Sequence, residues 1–273
     1  MRTFRPLLTC CWMIGLLVGA LGLAGCGASM PTATAGSRGD IETASDESDI
    51  RKRARIRLEL ASTYFSQGQL TTALDELKQA EAIDSSLPEA YEMRALIYDA
   101  MGDTARADAN FQIALDRDAS NGSVLHNYGW YLCRMGKYPE ADAMFGRAAL
   151  LPQTVATSKT LFVRGVCQMR AGLYPEAEKT LARSYEMDPT NPATAFNLAS
   201  VLYRRGELER ARFYIARVNS RDEQVTAESL WLATRIEQRN GNREAAREFG
   251  AQLRQRFPAS RETNLLELGR FDD

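Results

Sequence analysis

Few side chains in this 273-residue chain are equipped for covalent or metal chemistry. It has one histidine, His126, and five cysteines: Cys10, Cys11, Cys26, Cys133 and Cys167. Metal sites gather Cys, His and carboxylate ligands at short spacing, and no such cluster occurs here. Nor does the chain beyond residue 25 hold a Gly-x-Ser-x-Gly elbow or a phosphate-binding glycine loop. A histidine with no cysteine or carboxylate nearby reads as a hydrogen-bonded wall residue. Glu140 and Glu176 read as solvated helix faces. An enzyme would need a set of titratable residues clustered in a pocket, which the motifs do not suggest, so no enzyme activity, metal, cofactor or small-molecule substrate is expected. What does recur is Arg134, Arg170 and Arg204, at steps of 36 and 34 residues, with Asn127 and Asn197 set 70 apart. Both side-chain types hydrogen-bond carboxylates and peptide backbone. Such regular placement calls for a repeating scaffold.

That scaffold is written in six glycines, Gly68, Gly102, Gly136, Gly172, Gly206 and Gly241, at steps of 34, 34, 36, 34 and 35 residues. Each is followed five residues later by alanine, from Ala73 to Ala246. A period near 34 matches the helix-turn-helix unit of tetratricopeptide (TPR) repeats. Glycine fits where the first helix ends in a left-handed turn. Seven residues before it comes a small residue, Ala61, Ala95, Gly129, Gly165 or Ala199, with Thr234 the exception; nine after it comes a core filler, Leu77, Phe111, Phe145, Leu181 or Ile215. The small positions mark where the two helices cross. In the last unit Gly250 replaces the filler, as befits a terminal repeat with one face open. The fold expected is an all-α TPR superhelix of six repeats over 51–262, divided near 54–87, 88–121, 122–155, 158–191, 192–225 and 227–260, with a tail at 263–273. The 36-residue step is expected to place a longer loop around Pro152 to Ser158.

Stacked repeats form a concave groove walled by first helices. Counting back from the glycines of repeats three to six, the inward candidates include Asn127, Trp130, Arg134, Phe162, Val166, Arg170, Phe196, Asn197, Ser200, Arg204, Trp231 and Arg235. Each has an alternative role in packing against the neighbouring repeat. The lysine and asparagine of the chaperone-tail carboxylate clamp are missing, Leu58 and Ser62 standing in their places.

The N-terminus assigns a location. Arg2 and Arg5 precede an apolar run from Cys10 to Ala24, too short for a comfortable span and built like a signal peptide. Leu23-Ala24-Gly25-Cys26 resembles the bacterial lipobox. That resemblance implies cleavage after residue 25 and lipid on Cys26, and Gly27 in place of aspartate implies the outer membrane. A plain cleavage site or a retained anchor helix is the alternative. Residues 26–50 then form a polar tether of small and acidic residues. Without residues 1–25 the chain keeps 32 basic and 35 acidic residues, so nucleic acid is not the expected partner.

An oxidising compartment leaves Cys133 and Cys167, three residues before Gly136 and five before Gly172. Neighbouring first helices pack about 8–10 Å apart. Inward-facing residues on them can reach disulfide separation. A bridge is favoured over two buried free thiols.

The fragments around these cysteines carry a further resemblance. Asn127-Tyr128-Gly129, Leu132-Cys133, Gly136-x-Tyr138-x-Glu140-Ala141, Gly165-x-Cys167, Arg212-Phe213-Tyr214 and Glu228-Ser229-Leu230-Trp231-Leu232 resemble the PilF/PilW family of type IV pilus lipoproteins. The likeness spans about residues 55 to 260. It implies a periplasm-facing, lipid-anchored pilotin of the outer membrane that helps the secretin PilQ reach that membrane and multimerise, or stabilises pili. The other reading the sequence leaves open is a TPR lipoprotein serving barrel assembly or a cell-wall synthase.

Overall fold

The computed structural model describes residues 48–151 and 154–271, of which 48–271 belong to one compact unit. The signal segment, Cys26 and the tether lie outside the described residues. Six helix pairs follow in order: α1 Asp49–Ser66 and α2 Leu70–Ile83; α3 Pro88–Ala100 and α4 Thr104–Arg117; α5 Gly122–Arg134 and α6 Tyr138–Ala149; α7 Thr154–Arg170 and α8 Tyr174–Met187; α9 Pro192–Arg204 and α10 Leu208–Asn219; α11 Ala227–Arg239 and α12 Arg243–Arg256. A short α13, Arg261–Glu267, closes the array, and no strand occurs among the described residues. The architecture is the TPR superhelix.

Each pair packs as a hairpin turned by its glycine. All six ladder glycines hold φ between 73° and 81°, the left-handed region that disfavours a Cβ. The small residue and the filler of each repeat meet at the crossing. A methyl on Gly129 would stand 2.9 Å from the Phe145 ring, and one on Gly165 would stand 2.5 Å from Leu181 Cγ. Both fillers are wholly buried. First helices touch their successors, α1 with α3, α5 with α7, α7 with α9 and α9 with α11, while second helices come no nearer than weak contact. The closer layer lies on the inside of the curve, so first helices line the groove.

Two expectations need correcting. The extra length in repeat four is not loop. Helix α7 begins at Thr154, before the expected start of that repeat at 158, and runs 17 residues against 13 in α5 and α9. The stretch 154–158 has no glycine or proline, so the helix propagates back through it at one hydrogen bond per residue. Nor do the described residues 263–271 form a tail. Ser260 caps α13 by accepting from the Thr263 N–H, and Leu265, Leu266 and Phe271 cover the apolar face left by α11 and α12. Leu266 fills the space over Gly250, 3.2 Å from where a Cβ would stand. The missing filler of the last repeat is thus supplied by the capping helix, beside the buried Thr234 that takes the small position.

Candidate groove site on the first helices

A stripe of side chains runs along α5, α7, α9 and α11 at intervals of four, which keeps them on one face. On α5 it is His126, Trp130 and Arg134; on α7, Phe162, Val166 and Arg170; on α9, Phe196, Ser200 and Arg204. On α11 the same register gives Trp231, Arg235 and Arg239. The wall expected from sequence is therefore one continuous face, with Arg239 the counterpart of Arg134, Arg170 and Arg204. Sequence reasoning chose Arg235 and passed over Arg239, although counting two residues back from Gly241 finds it.

The structure assigns these side chains different duties. Asn127 is not free for a partner: its amide donates at 2.6 Å to Glu92 on α3, which also accepts from the Ser123 hydroxyl at 2.6 Å. Glu92 is buried, and these two donors satisfy it across the repeat boundary. The register that holds Glu92 holds Phe162 two repeats later, so Asn197 has no acid to meet and donates to its own helix at the Ala193 carbonyl. Arg134 forms an ion pair with Asp99. Arg170 lies over the Trp130 ring at 4.9 Å and Arg204 over Tyr174 at 5.7 Å. Trp231 is only 5 % exposed, because Phe271 stacks on it with centroids 5.3 Å apart; it contributes an edge rather than a projecting anchor.

The groove deepens between α9 and α11. Tyr174, Phe196, Ser200, Tyr203, Arg204, Trp231, Arg235 and Arg239 line a cavity of about 400 Å³ together with Leu232 and Glu228. Five of the sequence candidates meet there. Arg235 and Arg239 sit over Tyr203 at 4.9 and 5.4 Å, and Arg239 Nη1 donates to the Tyr203 carbonyl. The cavity pairs aromatic walls with guanidinium rims, a combination that suits protein segments.

The wall between repeats two and four is rigidified by polar contacts. Residues six after the ladder glycines reach the next first helix. Asp108 accepts from the Tyr128 hydroxyl at 2.9 Å, and burial, reinforced by Asp108, pushes that phenol up to about 12. Asp142 takes two hydrogen bonds at 2.7 Å from Arg164 and a third from Gln168. The guanidinium holds its carboxyl below the usual carboxylate range. His126 Nδ1 lies 2.9 Å from the Thr160 hydroxyl of α7, and burial, aided by Lys159, lowers its pKa. Cys133 and Cys167 face each other across α5 and α7 with Cα atoms 5.9 Å apart and their sulfurs joined. Among the described residues no three His, Cys, Asp or Glu side chains could hold a metal.

Tetratricopeptide-repeat models match residues 61–102, 88–121, 129–192 and 168–233. The chain is 28% identical over 246 residues to the type IV pilus assembly protein PilF of Pseudomonas aeruginosa, covering 89% of this chain and 92% of that one. It is a TPR homologue of PilF. Its fold also matches a crystal structure of PilW, described as a widely conserved type IV pilus biogenesis factor, with a TM-score of 0.70 and 29% identity over 79% of this chain and 98% of that one. A solved structure of P. aeruginosa PilF gives a TM-score of 0.69 at 25% identity, covering 80% and 99%. Both superpose along nearly their whole length, so all six repeats belong to the PilF and PilW likeness.

Proposed function

We propose that this chain is a non-enzymatic scaffold for type IV pilus biogenesis, anchored to the outer membrane by lipid on Cys26 and holding a protein segment in its groove. The segment in this reading belongs to the secretin PilQ, whose delivery and multimerisation the chain assists, or to another pilus component. The observation that carries it is the correspondence with PilF over 89% of this chain and with the PilW fold over 79% of it, to which the sequence adds the lipobox-like Leu23-Ala24-Gly25-Cys26. The tether lets the repeat domain reorient while confinement at the membrane raises the partner's effective concentration. The oxidised Cys133–Cys167 pair belongs to the same reading, since the periplasm favours disulfides.

Deletion of the chain and complementation with Cys26→Ala test it. Loss of surface pili and of secretin multimers from outer-membrane fractions on deletion is expected, with Cys26→Ala found in the soluble periplasm or inner membrane. Normal pili after deletion would refute the pilus role; outer-membrane fractionation of Cys26→Ala would refute the anchor.

A further inference from the structure

We infer that the groove face of repeats four to six recognises an acidic, extended protein segment that also carries an aromatic or bulky apolar side chain. The inference rests on the reading of this chain as a groove-binding scaffold, and it adds the chemistry of what the groove accepts.

Four arginines stand two residues before their glycines, one on each of α5, α7, α9 and α11. Only the first faces a carboxylate: Arg134 pairs with Asp99, three residues before the preceding glycine. In the next three repeats that facing position holds Cys133, Met169 and Tyr203. Arg170, Arg204 and Arg239 accordingly have no carboxylate within ion-pair distance among the described residues and lie on Trp130, Tyr174 and Tyr203 instead. Stacking uses the face of a guanidinium and leaves N–H donors of its fork available for a carboxylate, although Arg239 already spends one Nη1 donor on the Tyr203 carbonyl. Arg235 adds a fourth guanidinium, its Nε buried and without a hydrogen-bond partner.

The imbalance is regional. Residues 203–270 hold 14 arginines, no lysine and 10 acidic residues, whereas residues 48–202 hold 17 basic and 19 acidic ones. Charge complementarity therefore selects an acidic occupant at this end of the groove. Phe162, Phe196 and the edge of Trp231 supply apolar contact between the guanidinium rungs. Adjacent first helices lie about 8–10 Å apart, and three residues of extended chain cover about 10 Å. One acidic residue in every three would meet successive rungs.

Fluorescence anisotropy on the full chain in detergent tests this with labelled dodecapeptides. One peptide has an acid at every third position and a central phenylalanine, a second replaces the acids with lysine, and a third replaces phenylalanine with serine. The first is expected to bind at least tenfold tighter than the second and more tightly than the third, with affinity falling as salt rises. Arg204→Glu with Arg239→Glu should weaken it at least tenfold, and the charge-neutral Arg204→Gln with Arg239→Gln should weaken it in the same direction. Arg183→Glu, on the exposed face of α8, should leave it unchanged. Circular dichroism of each variant establishes that the helices persist, and the glutamine pair carries the test if the glutamate pair does not fold. Equal affinity for acidic and lysine peptides, unchanged binding in the folded double variants, or equally tight binding of a dodecathymidine strand would overturn the inference. Peptide preference with normal pili in the Arg204→Glu, Arg239→Glu strain would sink the pilus reading and spare the groove chemistry. Lost pili without peptide preference would do the reverse.

Discussion

Reduction of the Cys133–Cys167 bridge should destabilise the repeat domain by about 3.8 kcal/mol. The two residues are 34 apart in sequence. In the chain-entropy treatment, cross-linking a loop of that length removes about 12.6 cal/mol/K from the unfolded ensemble, or about 3.8 kcal/mol at 25 °C. The value depends on loop length and presumes that the folded state does not change on reduction. That holds here because both cysteines are almost wholly buried, at 2 and 3 % exposure, in a cluster with Tyr131, Leu132 and Phe145, so free thiols would stay packed where they are. Urea unfolding followed by circular dichroism, with and without dithiothreitol, measures it. The Cys133→Ala, Cys167→Ala variant serves as a control that the reductant should not affect. Because the bridge joins first helices of consecutive repeats, reduction should also lower protection of α5 and α7 amides against hydrogen exchange before that of α1. A reductant effect below about 1 kcal/mol, or an equal effect on the alanine control, would refute the entropic account.

Three further outcomes follow from the same geometry. Gly165→Ala should destabilise by about 1–3 kcal/mol through overpacking against Leu181. In a Leu181→Ala background the added methyl should instead find space, giving a double-mutant-cycle coupling of at least about 1 kcal/mol in denaturation experiments; additivity within experimental error would show that the crossing is not tight. His126 has its pKa lowered in the fold, so the unfolded chain binds the proton more readily and stability falls on acidification below the imidazole's ordinary pKa. Thermal melts between pH 7.5 and 5 should show that loss, and His126→Gln should flatten it; an unchanged slope would point to other groups. The Asp142 carboxyl, held low mainly by its hydrogen bonds from Arg164, adds stability that is present above the ordinary carboxylate pKa and lost as pH falls through its lowered value. Asp142→Asn should therefore be less acid-sensitive below pH 4 than the parent, which melting curves at pH 3 and 5 would decide.

How legible the fold was varies along the chain for physical reasons. Gly68 to Gly241 announced themselves because a left-handed turn tolerates almost nothing else, and the paired alanines because helices must cross without side chains between them. The start of α7 was not legible, since Pro152 looks like a boundary but residues 154–158 contain nothing that stops a helix. The capping helix was missed because Leu265, Leu266 and Phe271 are too few to show a period; their purpose appears only against Gly250 and Trp231. Within the groove, the face was readable from register, but the status of each residue was not. Asn127 and Asn197 are the same residue at the same position, and only Asn127 meets an acid, because Glu92 precedes one and Phe162 the other.

The repeat and its hinge glycines were legible in the sequence alone, because they depend on backbone conformation and local period. Tertiary structure decided which inward residues are already engaged. That depends on what the preceding repeat presents across the interface, Asp99 opposite Arg134 but Tyr203 opposite Arg239, and a charge is neutralised or left available only when two distant segments are brought together.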